Sequence, residues 1–268
     1  MFLRCSAGLL AAGILVLLPA DHAEQESRRL DRYEMVTGPI VVDGVGADVS
    51  GLAYSPDTGT LFGANNNPAI LFEITTGGDV LRTLKVTENN DTEGVEVLPG
   101  SRLVVTEERL RNLLLFQIPQ ERSATQLHRD EAGVLRIVEA PPDNIGLEGV
   151  TYNPRENCFY VAKERDPCMI YKVQLAGSSQ LLDDAEISEL FELDNVETAN
   201  GLHFDAVTGN LLVISSRNKC VVEMTLEGQE LSRLSDIPLP QPEGVAMDGE
   251  GTLYVVSEPN LLCVFKRP

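Results

Sequence analysis

A five-residue pattern occurs five times along the chain: a polar or acidic residue, then Gly, then alternating apolar residues that lead into a turn. The copies are Ser50-Gly51-Leu52-Ala53-Tyr54, Glu93-Gly94-Val95-Glu96-Val97, Glu148-Gly149-Val150-Thr151-Tyr152, Asn200-Gly201-Leu202-His203-Phe204 and Glu243-Gly244-Val245-Ala246-Met247. Successive glycines are 43, 55, 52 and 43 residues apart. That range suits repeating four-stranded units with outer loops of variable length, the spacing of propeller blades. Within each copy the apolar residues recur every second position, as strands require. In the first copy, strands are predicted over 52–54, 60–64, 70–74 and 80–86, separated by turns rich in Pro, Asp, Asn and Gly. The last copy ends at Pro268 without a fourth strand. Residues 32–42 contain an unpaired strand pattern, Tyr33-Glu34-Met35-Val36-Thr37, that can supply it. The fold expected is therefore all-β: a five-bladed propeller of four-stranded antiparallel blades, over residues 30–268, closed by an N-terminal strand that removes the free sheet edge. The extra residues at 119–144 and 174–197 are expected as long loops or lengthened outer strands.

The repeats leave no room for a second core. Residues 1–24 stand apart: a basic start at Arg4, a 15-residue apolar stretch over 6–20 and a polar run from Asp21. This is the layout of a secretory signal peptide or a short signal anchor, shorter than the roughly 20 residues of a comfortable membrane span. It places the propeller in the cell envelope, outside the cytoplasm, membrane-associated or periplasmic. Of five cysteines, Cys158 and Cys168 flank one hairpin out of register for a disulfide, and Cys220 and Cys263 fall in apolar strand runs as small buried hydrophobes. A formal charge of −20 excludes nucleic acid as a partner and favours cations.

Antiparallel hairpins put the start of a first strand and the end of the second at one end of the sheet. The repeat residues Ser50, Glu93, Glu148, Asn200 and Glu243 should thus converge at the mouth of a central channel. Beside them lie the turns that follow the second strands, with Asn66, Glu108, Lys163, Glu164, Arg217 and Glu258. One Glu-Gly pair is explained by a turn that needs hydrogen bonds. Three in register around one axis, at roughly 5 Å, repel by about 3 kcal/mol per pair at an effective dielectric near 20, and a cation relieves that load. With no His or Cys in the ring, the donors are all oxygen, which suits Ca2+ with its 6 to 8 flexible ligands better than Mg2+. The expected ligands are Glu93, Glu148, Asn200 and Glu243, joined or supported by Glu108 and Glu164; Asn66, Lys163, Arg217 and Glu258 form a candidate substrate face. Lys163, Arg165 and Arg217 are read first as partners that neutralise the neighbouring carboxylates. His203 stands alone on an inner strand and His128 lies in an insertion, so neither is a convincing base.

The stretch from Val49 to Phe62, together with Asp91-Thr92-Glu93-Gly94-Val95, Gly146-Leu147-Glu148-Gly149-Val150-Thr151-Tyr152, Ala162-Lys163-Glu164-Arg165 and Pro242-Glu243-Gly244-Val245, resembles the SdiA-regulated (YjiK-like) domain of bacterial envelope proteins, itself distantly similar to NHL-repeat propellers. The resemblance covers about residue 30 to the end. It implies a five-bladed propeller, bound calcium and association with the cell membrane, with no assigned activity. Two functions follow as expectations: a calcium-binding module that engages an unknown ligand or envelope protein, or a calcium-dependent hydrolase of the lactonase or phosphoesterase kind using the same centre. No Gly-x-Ser-x-Gly elbow and no His accompany the ring.

Overall fold

The computed structural model describes residues 27–89, 91–139, 143–176, 182 and 184–268. A 3-10 turn at Leu30–Arg32 precedes β1 (Glu34–Val41), and four strands then follow in a meander, β2 (Val49–Ser55), β3 (Thr60–Asn65), β4 (Ile70–Ile74) and β5 (Val80–Thr87). The second blade comprises β6 (Thr92–Leu98), β7 (Arg102–Glu107) and β8 (Asn112–Gln117), then, after β9 (Gln126–His128), its outer strand β10 (Gly133–Arg136). The third is β11 (Leu147–Asn153), β12 (Cys158–Lys163), β13 (Met169–Gln174) and β14 (Glu186–Glu192). The fourth is β15 (Gly201–Phe204), β16 (Leu211–Ser215), β17 (Cys220–Met224) and β18 (Glu230–Leu234), and the chain ends with β19 (Gln241–Met247), β20 (Leu253–Glu258) and β21 (Leu261–Lys266).

β1 pairs antiparallel with β21 and completes the fifth blade, with Met35 opposite Phe265 and Val41 opposite Leu261. The closing segment is also pinned to the fourth blade. The buried Glu223 carboxylate accepts hydrogen bonds from Ser27 Oγ (2.6 Å), the Arg28 amide (2.8 Å), Ser232 Oγ (2.6 Å) and Asn210 Nδ2 (2.9 Å). Arg28 holds Asp205 through two bonds of 2.5 and 2.8 Å, and Leu30 is fully buried. The N-terminal stretch therefore bridges the last two blades rather than lying along one.

The 119–144 insertion is more than a loop. Its Gln126–His128 segment adds to the outer edge of the first blade in parallel with β5, giving that sheet five strands, before the chain returns to pair β10 with β8. The 174–197 segment supplies β14, the outer strand of its blade, which at 7 residues is no longer than β5.

Apolar side chains fill five layers, each shared by two neighbouring sheets: Leu71 with Val105, Val104 with Phe159, Tyr160 with Val213, Leu212 with Val255, and Val256 with Leu61. No blade has a core of its own, so closure of the ring is a condition for burial. The glycine column makes that closure possible. A Cβ at Gly94 would lie 2.2 Å from the carbonyl oxygen of Glu148, and one at Gly51 2.3 Å from that of Glu93. Only an unsubstituted carbon lets the innermost strands approach so closely. Cys158, Cys168, Cys220 and Cys263 are buried free thiols; Cys158 sits opposite Gln174, and the Cys168 thiol donates to the Glu164 carbonyl at 2.7 Å.

Residues 1–26, which include Cys5 and the proposed leader, lie outside the described residues. Among those described, no helix is long and apolar enough to cross a membrane.

Candidate metal centre

Four of the five innermost strands carry a bulge at the repeat position. The register slips between Val49 and Gly51, Thr92 and Val95, Leu147 and Val150, and Pro242 and Gly244. Each slip contains Ser50, Glu93, Glu148 or Glu243. A bulge places an extra residue against the partner strand and re-aims its side chain, and here it points all four at the same mouth. In the fourth blade Asn200 immediately precedes β15; its amide donates to Ile214 O at 2.9 Å and its Oδ1 accepts from the Ser216 amide at 3.0 Å.

The cavity at this mouth is about 170 Å3, with a lining that is polar throughout. It brings together Ser50, Glu93, Glu148, Asn200 and Glu243 from the inner ring, and Asn66, Glu108, Glu164 and Glu258 from the turns after the second strands. Asn144 and Gln241 complete the wall. Lys163 and Arg217 are not part of it. Lys163 Nζ bonds to the carbonyls of Arg165 and, at 3.2 Å, Pro167 in its own turn, and Arg217 is exposed outside the rim. Arg165 makes the one direct guanidinium pairing with a wall carboxylate among the described residues, 2.5 Å to Glu164 Oε1.

Two groups of carboxylate oxygens lie within 4.8 Å of one another: Asp91, Glu93 and Glu108, and Glu108, Glu148 and Glu164. Glu108 belongs to both. Asp91 was not anticipated from the sequence. It stands two residues before Glu93, accepts the Arg109 amide at 2.6 Å and lies 3.5 Å from the Arg109 guanidinium. Other partners are spread unevenly. Glu93 accepts from Asn66, Glu108 accepts from the Gly146 amide at 3.2 Å, and Gln241 donates to both Glu243 (2.9 Å) and Glu258 (3.0 Å). Glu148, at 7% exposure, has a carboxylate that receives no hydrogen bond from any described residue.

The electrostatic consequence is the same throughout the cluster. Burial, then the surrounding carboxylates Glu93, Glu243, Glu108 and Glu164, pushes Glu148 well above the ordinary carboxylate range. Glu93 is driven up chiefly by burial, with Glu108, Glu243 and Asp91 adding to it. Burial raises Glu243 to about 8 and Glu108 to about 7. Asp91, Glu164 and Glu258 move up as well, each from burial first. Like charges confined in a wall this short of donors are what a hard cation neutralises.

The profile of the SdiA-regulated family matches residues 25–266. This chain belongs to that family. Solved structures similar to this SdiA-regulated protein are propellers of distant sequence. Regucalcin of Agrobacterium tumefaciens, described as a calcium-binding protein, is 13% identical over 85% of this chain and 92% of its own, with a TM-score of 0.56. A gluconolactonase of Xanthomonas campestris is 12% identical over 85% and 89%, with a TM-score of 0.54. Nidogen, solved in complex with laminin, is 17% identical over 79% and 73%, with a TM-score of 0.55. At these identities the likeness is one of fold.

Proposed function

We propose that the protein is a calcium-binding propeller of the bacterial cell envelope that works as a binding or scaffold module through its acidic mouth. The observation that carries the reading is Glu148: a carboxylate buried on the channel axis, with no hydrogen-bond donor, inside 4.8 Å of two others. Such a group is costly as an anion unless a cation shares its site. Glu93, Glu148, Glu243, Glu108 and Glu164, with the Asn200 amide, would hold the ion, and Asp91 would support it from behind Glu93. All-oxygen donors from several strands match the ligand number and irregular geometry that calcium accepts and magnesium resists. Bound there, calcium supplies charge neutralisation and ties inner strands of separate blades together, leaving Asn66, Glu258 and Asn144 at the rim to meet a partner. The envelope location rests on the leader-like residues 1–24.

Calorimetric titration with Ca2+ and Mg2+ after chelation tests this directly. The expected result is one calcium per chain, magnesium at least about tenfold weaker, and a rise in melting temperature that EDTA reverses. Absence of binding would overturn the reading. A panel of lactones and phosphoesters, assayed with and without calcium, separates a binding module from a hydrolase that uses the ion as Lewis acid. Calcium-dependent turnover abolished by Glu148→Gln would move the assignment to the enzyme.

A further inference from the structure

The opposite end of the same strands forms a second cavity of about 260 Å3 with a different chemistry. One residue per blade at the fifth position of the repeat lines it: Tyr54, Val97, Tyr152, Phe204 and Met247. Two polar side chains from the fourth position, Glu96 and His203, reach the same space. No Lys or Arg is among the lining residues. Two guanidiniums lie at its edge: Arg28 is bound to Asp205 by two hydrogen bonds, and Arg155 donates to the carbonyl of Ala206. Asp205 and Asp248 add acidic character at the rim.

From this arrangement we infer that the lower cavity is a site for a small organic cation, an ammonium group carried on an aromatic or alicyclic body. Each alternative meets an obstacle. An anion would face Glu96 and Asp248, with Arg28 already neutralised by Asp205 and Arg155 turned to the Ala206 carbonyl at the rim. A neutral apolar molecule would fill the volume but leave Glu96, which burial raises to about 7 against its three hydrogen bonds, without the cation that would hold it ionised. An ammonium supplies the missing counter-charge and presents its N–H or N–CH groups to the Tyr54 and Tyr152 rings, which attract cations through their faces. The acceptor is held in place beforehand. Glu96 takes the Val97 amide at 2.7 Å on one oxygen, and Thr151 Oγ1 at 2.8 Å and the Tyr152 amide at 3.1 Å on the other. Thr151 is itself fixed, since its hydroxyl oxygen accepts the Phe204 amide at 2.8 Å. Tyr54 is backed by Tyr254, the rings nearly parallel at 3° with centroids 6.5 Å apart. Burial drives His203 down to about 4, so a neutral imidazole, not a second cation, faces the ligand. A largely apolar pocket with a few converging polar groups is the usual form of a small-molecule site.

Three probes of similar body and different charge test the inference: phenethylamine, 2-phenylethanol and 3-phenylpropionate. Binding is followed by titration calorimetry and by NMR of labelled methionine methyls, in which Met247 at the cavity is compared with Met224 in the core between blades. The amine is expected to bind at least about tenfold more tightly than the alcohol and to shift Met247 but not Met224. The carboxylate is expected not to bind. Glu96→Gln should weaken the amine at least about fivefold and leave the alcohol unchanged. Should that variant not fold, Tyr54→Leu, which removes an aromatic face without touching the Glu96 network, is expected to weaken the amine by a similar factor. Equal affinity for amine and alcohol, an unshifted Met247 methyl, or unaltered amine binding in these variants would each overturn the proposal.

Discussion

Replacing Glu148 by Gln keeps the shape of the most isolated carboxylate in the acidic mouth and deletes its charge. Oxygens of Glu148, Glu108 and Glu164 lie within 4.8 Å of one another, and two full charges at that distance repel by about 3.5 kcal/mol at an effective dielectric near 20. Proton uptake limits the load. Glu108 and Glu243 titrate near 7 and 8, so a substantial part of the repulsion is present at pH 8 and little at pH 5. For carboxyls whose folded pKa is raised, the stability contribution is fully present below about 4.5 and is lost as pH rises through the folded value. The metal-free parent should therefore be more stable at pH 5 than at pH 8. At pH 8, Glu148→Gln should stabilise it by about 2 kcal/mol, which is about 4–8 °C in melting temperature. At pH 5 that gain should disappear. Calcium works against the variant: a hundredfold excess over the dissociation constant stabilises the parent by about 2.7 kcal/mol, and the variant, short of one ligand, gains less, so its advantage shrinks and changes sign once its calcium affinity is more than about fortyfold weaker. Scanning calorimetry of both proteins at pH 5 and 8, with EDTA or with calcium, reads all of this. Destabilisation by Glu148→Gln in both metal states, or a parent whose melting temperature ignores calcium, would refute the argument and make the ring a set of turn caps.

Gly94→Ala would place a methyl 2.2 Å from the Glu148 carbonyl oxygen and 2.9 Å from the Val150 amide of the next blade; backbone cannot yield as a flexible side chain does, and a loss of about 3 kcal/mol is expected in urea unfolding. Deleting residues 1–42 strips β1 from the fifth blade and the Glu223 clamp from the fourth, and light scattering on heating should show aggregation at the exposed β21 edge. Deleting residues 1–24 should leave the thermal midpoint unchanged, so equal midpoints for the two truncations would contradict closure by β1. A reporter active only in the periplasm, fused after Pro268, should function; activity of a cytoplasm-only reporter there would refute export.

Much of the fold was readable because the repeat fixes register. Once Gly51, Gly94, Gly149, Gly201 and Gly244 are aligned, the residue before each must lie at one mouth, and all five do line it. The turns after the second strands were harder. Every one carries polar residues, and sequence does not say which of them turns inward. In the structure the second of each pair does so in four blades, as Asn66, Glu108, Glu164 and Glu258. Glu107 and Lys163 hold equivalent positions, opposite Thr92 and Leu147, and alternation sends their side chains elsewhere: Glu107 to Arg129 and Asn112, Lys163 to carbonyls of its own turn. Asp91 and Gln241 could have been found by the same alternation, since each stands two residues before a ring glutamate. Asn144 could not, because it lies in an insertion without a register. Nor could β9: three residues joining another blade in parallel leave no local pattern.

The two cavities are built from one set of strands, and the residues between them decide what each can do. At the middle of the channel the glycines meet and Leu52, Val95, Val150, Leu202 and Val245 close over them, leaving about 10 Å3. That is scarcely the volume one water needs, and the surroundings are apolar. No ligand of the lower cavity can therefore pass through the axis to the carboxylate of Glu148. Any molecule that is to reach the proposed calcium must enter at the upper rim, past Asn66, Asn144 and Glu258. The same plug also keeps the ring carboxylates in a medium of low dielectric on their inner side, which is why their charge is so costly without a counter-ion. Sealing the channel thus isolates the two sites and strengthens the demand for a cation at the upper one.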